Sequence, residues 1–274
     1  MTGDDFGLNS KANEAIEQLH QAGLLTQTSL MVNEQGVDEA LRIARRNPGL
    51  CVGLHLTLCL GSGSPSLRGT PLLNGAGELP ASPAMAGLRY AIERRLRRHL
   101  EREIEEQFAR FMSFGFAPAY WDGHTHLHLH PLVMKLALPM AGAAGFKAVR
   151  LVHEEGGGML PAVFRLLSRA AGPQLRAAGI RAPNRIYGLR HTGRITTARF
   201  ASYIDAIAAL APGPARPTGA SERATDWSEI YLHPGAEPEP LDTGLLLAAL
   251  REKEIVLGHA GELHLAPGGL KNLP

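Results

Sequence analysis

The chain has 274 residues, 45% hydrophobic and 20% charged, an ordinary globular composition that can bury a sizeable core. A net charge of +2 and only 5% aromatic residues argue against a nucleic-acid binder, which needs a basic face with aromatic platforms. The start, MTGDDFGLNS, has neither a basic nor an apolar leader segment, and no apolar run is long enough to cross a bilayer, so a cytoplasmic protein is expected. Cys51 and Cys59 form no CxxC pair and read as reduced core thiols.

Taken in chain order, Lys11 to Gly23 predicts a helix closed by its glycine, and Leu24 to Asn33 a turn entering a strand. Asp38 to Arg46 predicts a helix, and the apolar run Leu50 to Leu60 a buried strand. Residues 61–90, rich in Gly, Pro and Ser, read as a long irregular excursion, either a binding loop or a surface insert. Ile92 to Met112 carries an apolar stripe of Ile92, Leu96, Leu100, Ile104 and Phe108, with its charges on a solvated surface. Tyr120 to His128 reads as a strand, and Pro131 opens the next helix. Further strands are predicted at Phe146 to Val152, Ile186 to Leu189, Glu229 to His233 and Ile255 to Leu257. Helices are predicted at Leu160 to Ala171, Phe200 to Leu210 and Thr243 to Arg251, with a loop over 211–227. The βα rhythm predicts a parallel sheet in one domain over 1–274, an α/β fold best matched by a distorted, incomplete TIM-like barrel.

Four histidines alternate in Trp121-Asp122-Gly123-His124-Thr125-His126-Leu127-His128-Leu129-His130-Pro131. On a strand, residues two apart share a face, and neutral imidazole is a common metal ligand. At about 3.3 Å per residue the row is too long for all four to share one ion. His124, at the strand end, is the best ligand candidate, with His126 and His128 as outer or substrate contacts. Asp4 and Asp5 are adjacent carboxylates, which a fold often accommodates with a cation; the competing reading is a turn and helix cap. His55 and His233 also fall at predicted strand ends. In parallel α/β folds these ends converge on one face, where sites form.

The segments TGDDFG, TQTSLMVN, GLHLTL, WDGHTHLHLHP, AVRL and YLHPG, in this order over about residues 2–235, resemble the YdjC-like carbohydrate deacetylases, the group that includes chitooligosaccharide deacetylase. AGLRY at 86–90, RAPNRIYGL at 181–189 and the TGDD opening are more similar to the hopanoid-biosynthesis-associated branch. The resemblance implies an enzyme that hydrolyses the acetamide of an N-acetylglucosamine-type sugar, carried on a hopanoid glycolipid. It implies one divalent ion, magnesium or zinc, held by Asp5, His55 and His124. Asp4 matches the catalytic base, His233 the acid or oxyanion stabiliser, and Arg150 a residue that orients the substrate or Asp4. A lipid-linked substrate implies peripheral contact with the inner membrane, for which apolar residues in 61–90 and 156–170 are contact sites or ordinary packing; a homodimer is compatible. Because the chain starts at Met1-Thr2-Gly3, the first strand is expected to be nearly absent, and the tail from Glu252 departs from the family's ending. Two rivals are an HxH-type amidohydrolase or phosphoesterase, and a non-enzymatic metal or lipid-sugar binder.

Overall fold

A computed structural model describes residues 1–154, 156–210 and 227–260. Seven parallel strands form one sheet in the order β5-β4-β3-β2-β1-β7-β6. They are β1 (Thr2–Phe6), β2 (Gln27–Leu30), β3 (Cys51–Leu56), β4 (Tyr120–Gly123), β5 (Ala148–Val149), β6 (Arg185–Tyr187) and β7 (Ser228–Leu232). Helices α1 (Ser10–Gln21), α2 (Val37–Arg46), α3 (Pro83–Ile92), α4 (Arg97–Ser113), α5 (Pro131–Ala144), α6 (Met159–Ala177), α7 (Thr197–Ala208) and α8 (Thr243–Glu252) connect or follow them. Asn9, Ser82, Thr196 and Asp242 cap four of these helices through side-chain oxygens.

The sheet is strongly curled. β4 and β7 stand four strand steps apart, about 19 Å in a flat sheet at about 4.8 Å per step. Yet the Tyr120 hydroxyl donates to Glu229 Oε1 over 2.8 Å. Arg150, just past edge strand β5, likewise reaches Asp4 on β1 and Glu229 on β7. One bridge, Ala148 to Arg181, ties β5 to the stretch that leads into β6. The concave side is polar: Thr2, Asp4, Gln27, Ser29, His55, Tyr120, Asp122, Arg150 and Glu229 are all buried. The convex side packs its Leu, Ile, Val and Phe residues against the helices. Gly53 is needed on the concave side, because a Cβ there would lie 2.6 Å from the Tyr120 carbonyl oxygen.

Several expectations need correction. The first strand is present and central: β1 is buried along its length and pairs with both β2 and β7. The strand from Tyr120 stops at Gly123, and His124–Leu129 forms 3-10 turns with left-handed Thr125 and His126, so the histidines do not line one face of a strand. The stripe from Ile92 is not one helix. α3 ends at Ile92, a short 3-10 turn follows, and Ile92 is 64% exposed. The charges of α4 are not all solvated, since Glu103 is fully buried and accepts hydrogen bonds from the Ser64 amide and hydroxyl. The 61–90 excursion buries Leu67, Leu72, Leu73 and Leu79 and contains most of α3. Ile255 to Leu257 forms no strand, and of the loop predicted over 211–227 only Trp227 lies within the described residues. Cys59 is buried, and neither cysteine is in a disulfide.

Candidate functional site

The site lies at the carboxyl ends of β1, β3, β4 and β7. At the end of β1 the pairing register shifts between Gly3 and Phe6, and Asp5 adopts φ +65°. That left-handed turn lets two consecutive carboxylates serve one site, where a regular strand would send them to opposite faces. The next turn is held by Asn13, which accepts from the Gly7 amide and donates to the Gly36 carbonyl. Asp4 goes inward and is almost inaccessible, whereas Asp5 sits at the mouth with its side chain 12% exposed.

Three atoms from distant parts of the chain meet at this mouth. Asp5 Oδ1 lies 2.9 Å from His124 Nδ1 and 3.3 Å from His55 Nε2, and the two ring nitrogens are 3.3 Å apart. His55 Nδ1 is 2.6 Å from Asp122 Oδ1. That contact turns Nε2 toward Asp5 and His124, the carboxylate-histidine arrangement of a metal ligand, in which a bound ion would take the Nε2 lone pair in place of a proton. Zinc–ligand bonds of about 2.0–2.2 Å set neighbouring ligand atoms about 3–3.5 Å apart, so two imidazole nitrogens and one carboxylate oxygen fit a divalent ion. A second grouping, Asp4, His55 and Asp122, is also close enough to share a cation. It fits less well, because the Arg150 guanidinium already occupies Asp4 and Asp122.

The electrostatics follow from burial and these contacts. Burial works against the Asp5 carboxylate, but hydrogen bonds from His124 and His55 outweigh it and hold Asp5 well below the ordinary range. Burial also disfavours the charged His55 ring, yet Asp122 and Asp5 raise it to about 10. Beneath the mouth, Arg150 donates to both Asp4 oxygens at 2.7 and 2.8 Å, lies 3.0 Å from Asp122 Oδ2, and donates to Glu229 at 2.8 Å. Its guanidinium also stacks on the Tyr231 ring, 4.5 Å from the centroid. One cation thus serves three buried carboxylates. Burial, with Asp122 nearby, pushes Asp4 up in spite of Arg150, while Arg150 and His55 overcome burial and hold Asp122 low.

Of the other residues singled out from sequence, His233 Nε2 stands 4.0 Å from Asp4 Oδ2, and its Nδ1 is buried with no partner among the described residues. His126 and His128 turn away from the mouth. His126 Nε2 lies 3.0 Å from the Tyr231 hydroxyl, and His128 Nε2 donates to the Arg150 carbonyl at 2.9 Å. Thus His124 and His126 do not form an HxH pair around one ion. Arg150 is fully buried, its polar atoms directed at carboxylates rather than the mouth. Sequence reasoning passed over Asp122, Tyr120, Ser29 and Glu229. Two signals could have found them: Tyr120 and Asp122 are two apart in a strand, and Glu229 is a lone acid before Ile230-Tyr231-Leu232.

Fold and site together define a curled parallel α/β protein with an Asp-His-His cluster, able to hold a metal ion, at the carboxyl edge of its sheet. The chain belongs to the YdjC-like protein family, whose model matches residues 1–263. It is 36% identical over 139 residues to a carbohydrate deacetylase of Geobacillus stearothermophilus, covering 50% of this chain and 53% of the relative. It is 35% identical over 156 residues to a chitooligosaccharide deacetylase of Serratia marcescens, covering 56% and 58%. The chain spans little more than half the length of the curated relatives it matches. A crystal structure from Enterococcus faecalis V583, provisionally described as a cellobiose-phosphate cleavage protein, superposes with a TM-score of 0.68 at 20% identity, covering 96% of this chain and 97% of that one, a likeness of fold alone.

Proposed function

We propose that this protein is a metal-dependent hydrolase that removes the acetyl group from an N-acetylated amino sugar. The observation that carries this reading is the meeting of Asp5 Oδ1, His55 Nε2 and His124 Nδ1 directly above a buried, arginine-braced Asp4. Kinship with carbohydrate deacetylases supplies the substrate class. A divalent ion held by these three residues, zinc or magnesium, supplies Lewis acidity toward the acetamide carbonyl and the attacking water.

The chain's own residues do the rest. Asp4 accepts a proton from the attacking water; Arg150 fixes the carboxylate's orientation, and burial makes it a better base than an exposed aspartate. His233, across from Asp4, gives a proton to the departing amine as the C–N bond breaks, so the products are acetate and a free amino sugar. Asp122 holds the His55 ring so that Nε2 faces the mouth. Arg150 acts as a positioning residue for Asp4. The motifs at 86–90 and 181–189 support a finer reading, in which the sugar is the N-acetylglucosaminyl group of a hopanoid glycolipid.

The test is acetate release from chitooligosaccharides and from an N-acetylglucosaminyl hopanoid by the wild type and by His124→Ala, with metal content measured on both. Turnover and bound metal both lost in the variant support the reading. Turnover that survives without His124 removes the metal site from the reaction. Release from neither substrate by the wild type, metal present, sets the deacetylase reading aside.

A further inference from the structure

We propose that the site-bearing face of this protein docks on an anionic lipid bilayer, through outward apolar stripes on α6 and α3 and an arginine-rich surface beside them. On α6, Met159, Val163 and Leu166, spaced four and three residues apart, share one face and are 85%, 46% and 68% exposed. The opposite face packs Pro161, Ser168, Ala171 and Leu175 inward. A surface helix normally turns a polar side to solvent, and here that side is apolar. α3 repeats the pattern, with Met85, Leu88 and Ile92 exposed and Ala86 and Tyr90 buried. Both helices flank the segment that begins with His124. The His126 ring packs edge-on against Phe164 of α6 at 5.3 Å, and Gly87 of α3 lies against Leu127.

The charge beside the α6 stripe is one-sided. Residues 156–204 hold eight arginines, 165, 169, 176, 181, 185, 190, 194 and 199, and no acidic residue or lysine. The rest of the chain keeps 20 basic against 26 acidic residues, so a near-neutral total conceals a strongly basic segment. Arg169, Arg176, Arg190, Arg194 and Arg199 are exposed. Arg165 and Arg169, four apart, lie on one flank of the α6 stripe, and the Arg190 guanidinium lies against Gly156, just ahead of α6.

An apolar strip edged by guanidinium groups matches the interface of an anionic bilayer, where side chains enter the acyl boundary and arginines meet phosphates. Nucleic acid would use the arginines but leave the apolar stripes in water. A second copy would set like charges against each other. Among the described residues no helix is long and apolar enough to span a membrane, so the contact proposed is with the surface.

This inference is independent of the deacetylase reading, because its test measures no turnover. The full chain is floated with phosphatidylcholine vesicles, with and without phosphatidylglycerol, at low and high salt. The expected result is flotation with the anionic vesicles, weakening as salt rises. Arg169→Gln with Arg190→Gln should lower partitioning about 25-fold, at about fivefold per arginine removed. Met159→Glu with Leu166→Glu should abolish it, while circular dichroism and melting temperature stay unchanged because these side chains are exposed. No flotation, flotation equal on both vesicle types, or flotation unchanged in both double variants overturns the proposal. So does binding to duplex DNA without vesicle binding, or a dimer in light scattering that the Met159 and Leu166 changes convert to monomer without vesicle binding.

Discussion

Replacing Arg150 by methionine tests the electrostatic account of the site most directly. Among the described residues the guanidinium is the group that pairs with all three of Asp4, Asp122 and Glu229, and all four groups are buried. Removing one partner of a buried pair costs about 3–5 kcal/mol, because a charge is left without compensation. At about 2.1 cal/mol/K per residue, a chain of 274 residues has an unfolding entropy near 0.6 kcal/mol/K, so the melting temperature should fall by about 5–8 °C at neutral pH. The deficit should depend on pH. Asp4, which burial already raises in spite of Arg150, should rise further without it and bind a proton in the folded state, so that stability is lost as pH rises through the raised value. Thermal melts of wild type and Arg150→Met from pH 5 to pH 8 measure this, with the gap expected to widen toward pH 8. A pH-independent gap, or none, would refute the view that Arg150 is the counter-charge of the site.

Other expectations follow from single contacts. Gly53→Ala places a Cβ 2.6 Å from the Tyr120 carbonyl oxygen, and overpacking at that β3–β4 contact should cost at least about 1–3 kcal/mol in urea denaturation. Tyr120→Phe removes the hydroxyl that donates to Glu229 and Asp122 and should cost about 1–3 kcal/mol, with little change in circular dichroism. Adding zinc or magnesium at about 100 times its Kd should stabilise the wild type by about 2.7 kcal/mol, or about 4–5 °C, and a chelator should reverse it. The same addition to His55→Ala should give no such rise, and an equal rise there would place the ion elsewhere. As pH falls, Asp122, whose carboxylate is held low by Arg150 and His55 against burial, should contribute stability that is present above the unfolded aspartate value and lost as pH drops through its lower folded one; Asp122→Asn melts should show a flatter acid limb.

Much of the arrangement was legible in the sequence because βα periodicity and strand-end placement are local signals. His55 and His124 each fall at a predicted strand end, and the fold brings them together with Asp5 there. What was not legible depends on sheet curvature. The curl joins Tyr120 to Glu229 across the concave interior, and nothing in either strand alone announces it. The histidine row misled because period-two spacing was read as strand, whereas left-handed Thr125 and His126 break the chain into turns and send each ring to a different partner. Glu103 was misread for a related reason. On a helix dense with charge, only the facing loop at Ser64 distinguishes a buried glutamate from its solvated neighbours.

The left-handed backbone at Asp5 also narrows what evolution or a protein engineer can place there. Among side-chain-bearing residues, aspartate and asparagine tolerate that conformation best, and glycine adopts it freely. Only aspartate among these carries an anion, and a longer glutamate would accept strain while overshooting the two imidazoles. Geometry and charge therefore select the same amino acid independently, so a library randomised at this one codon should return a single functional answer.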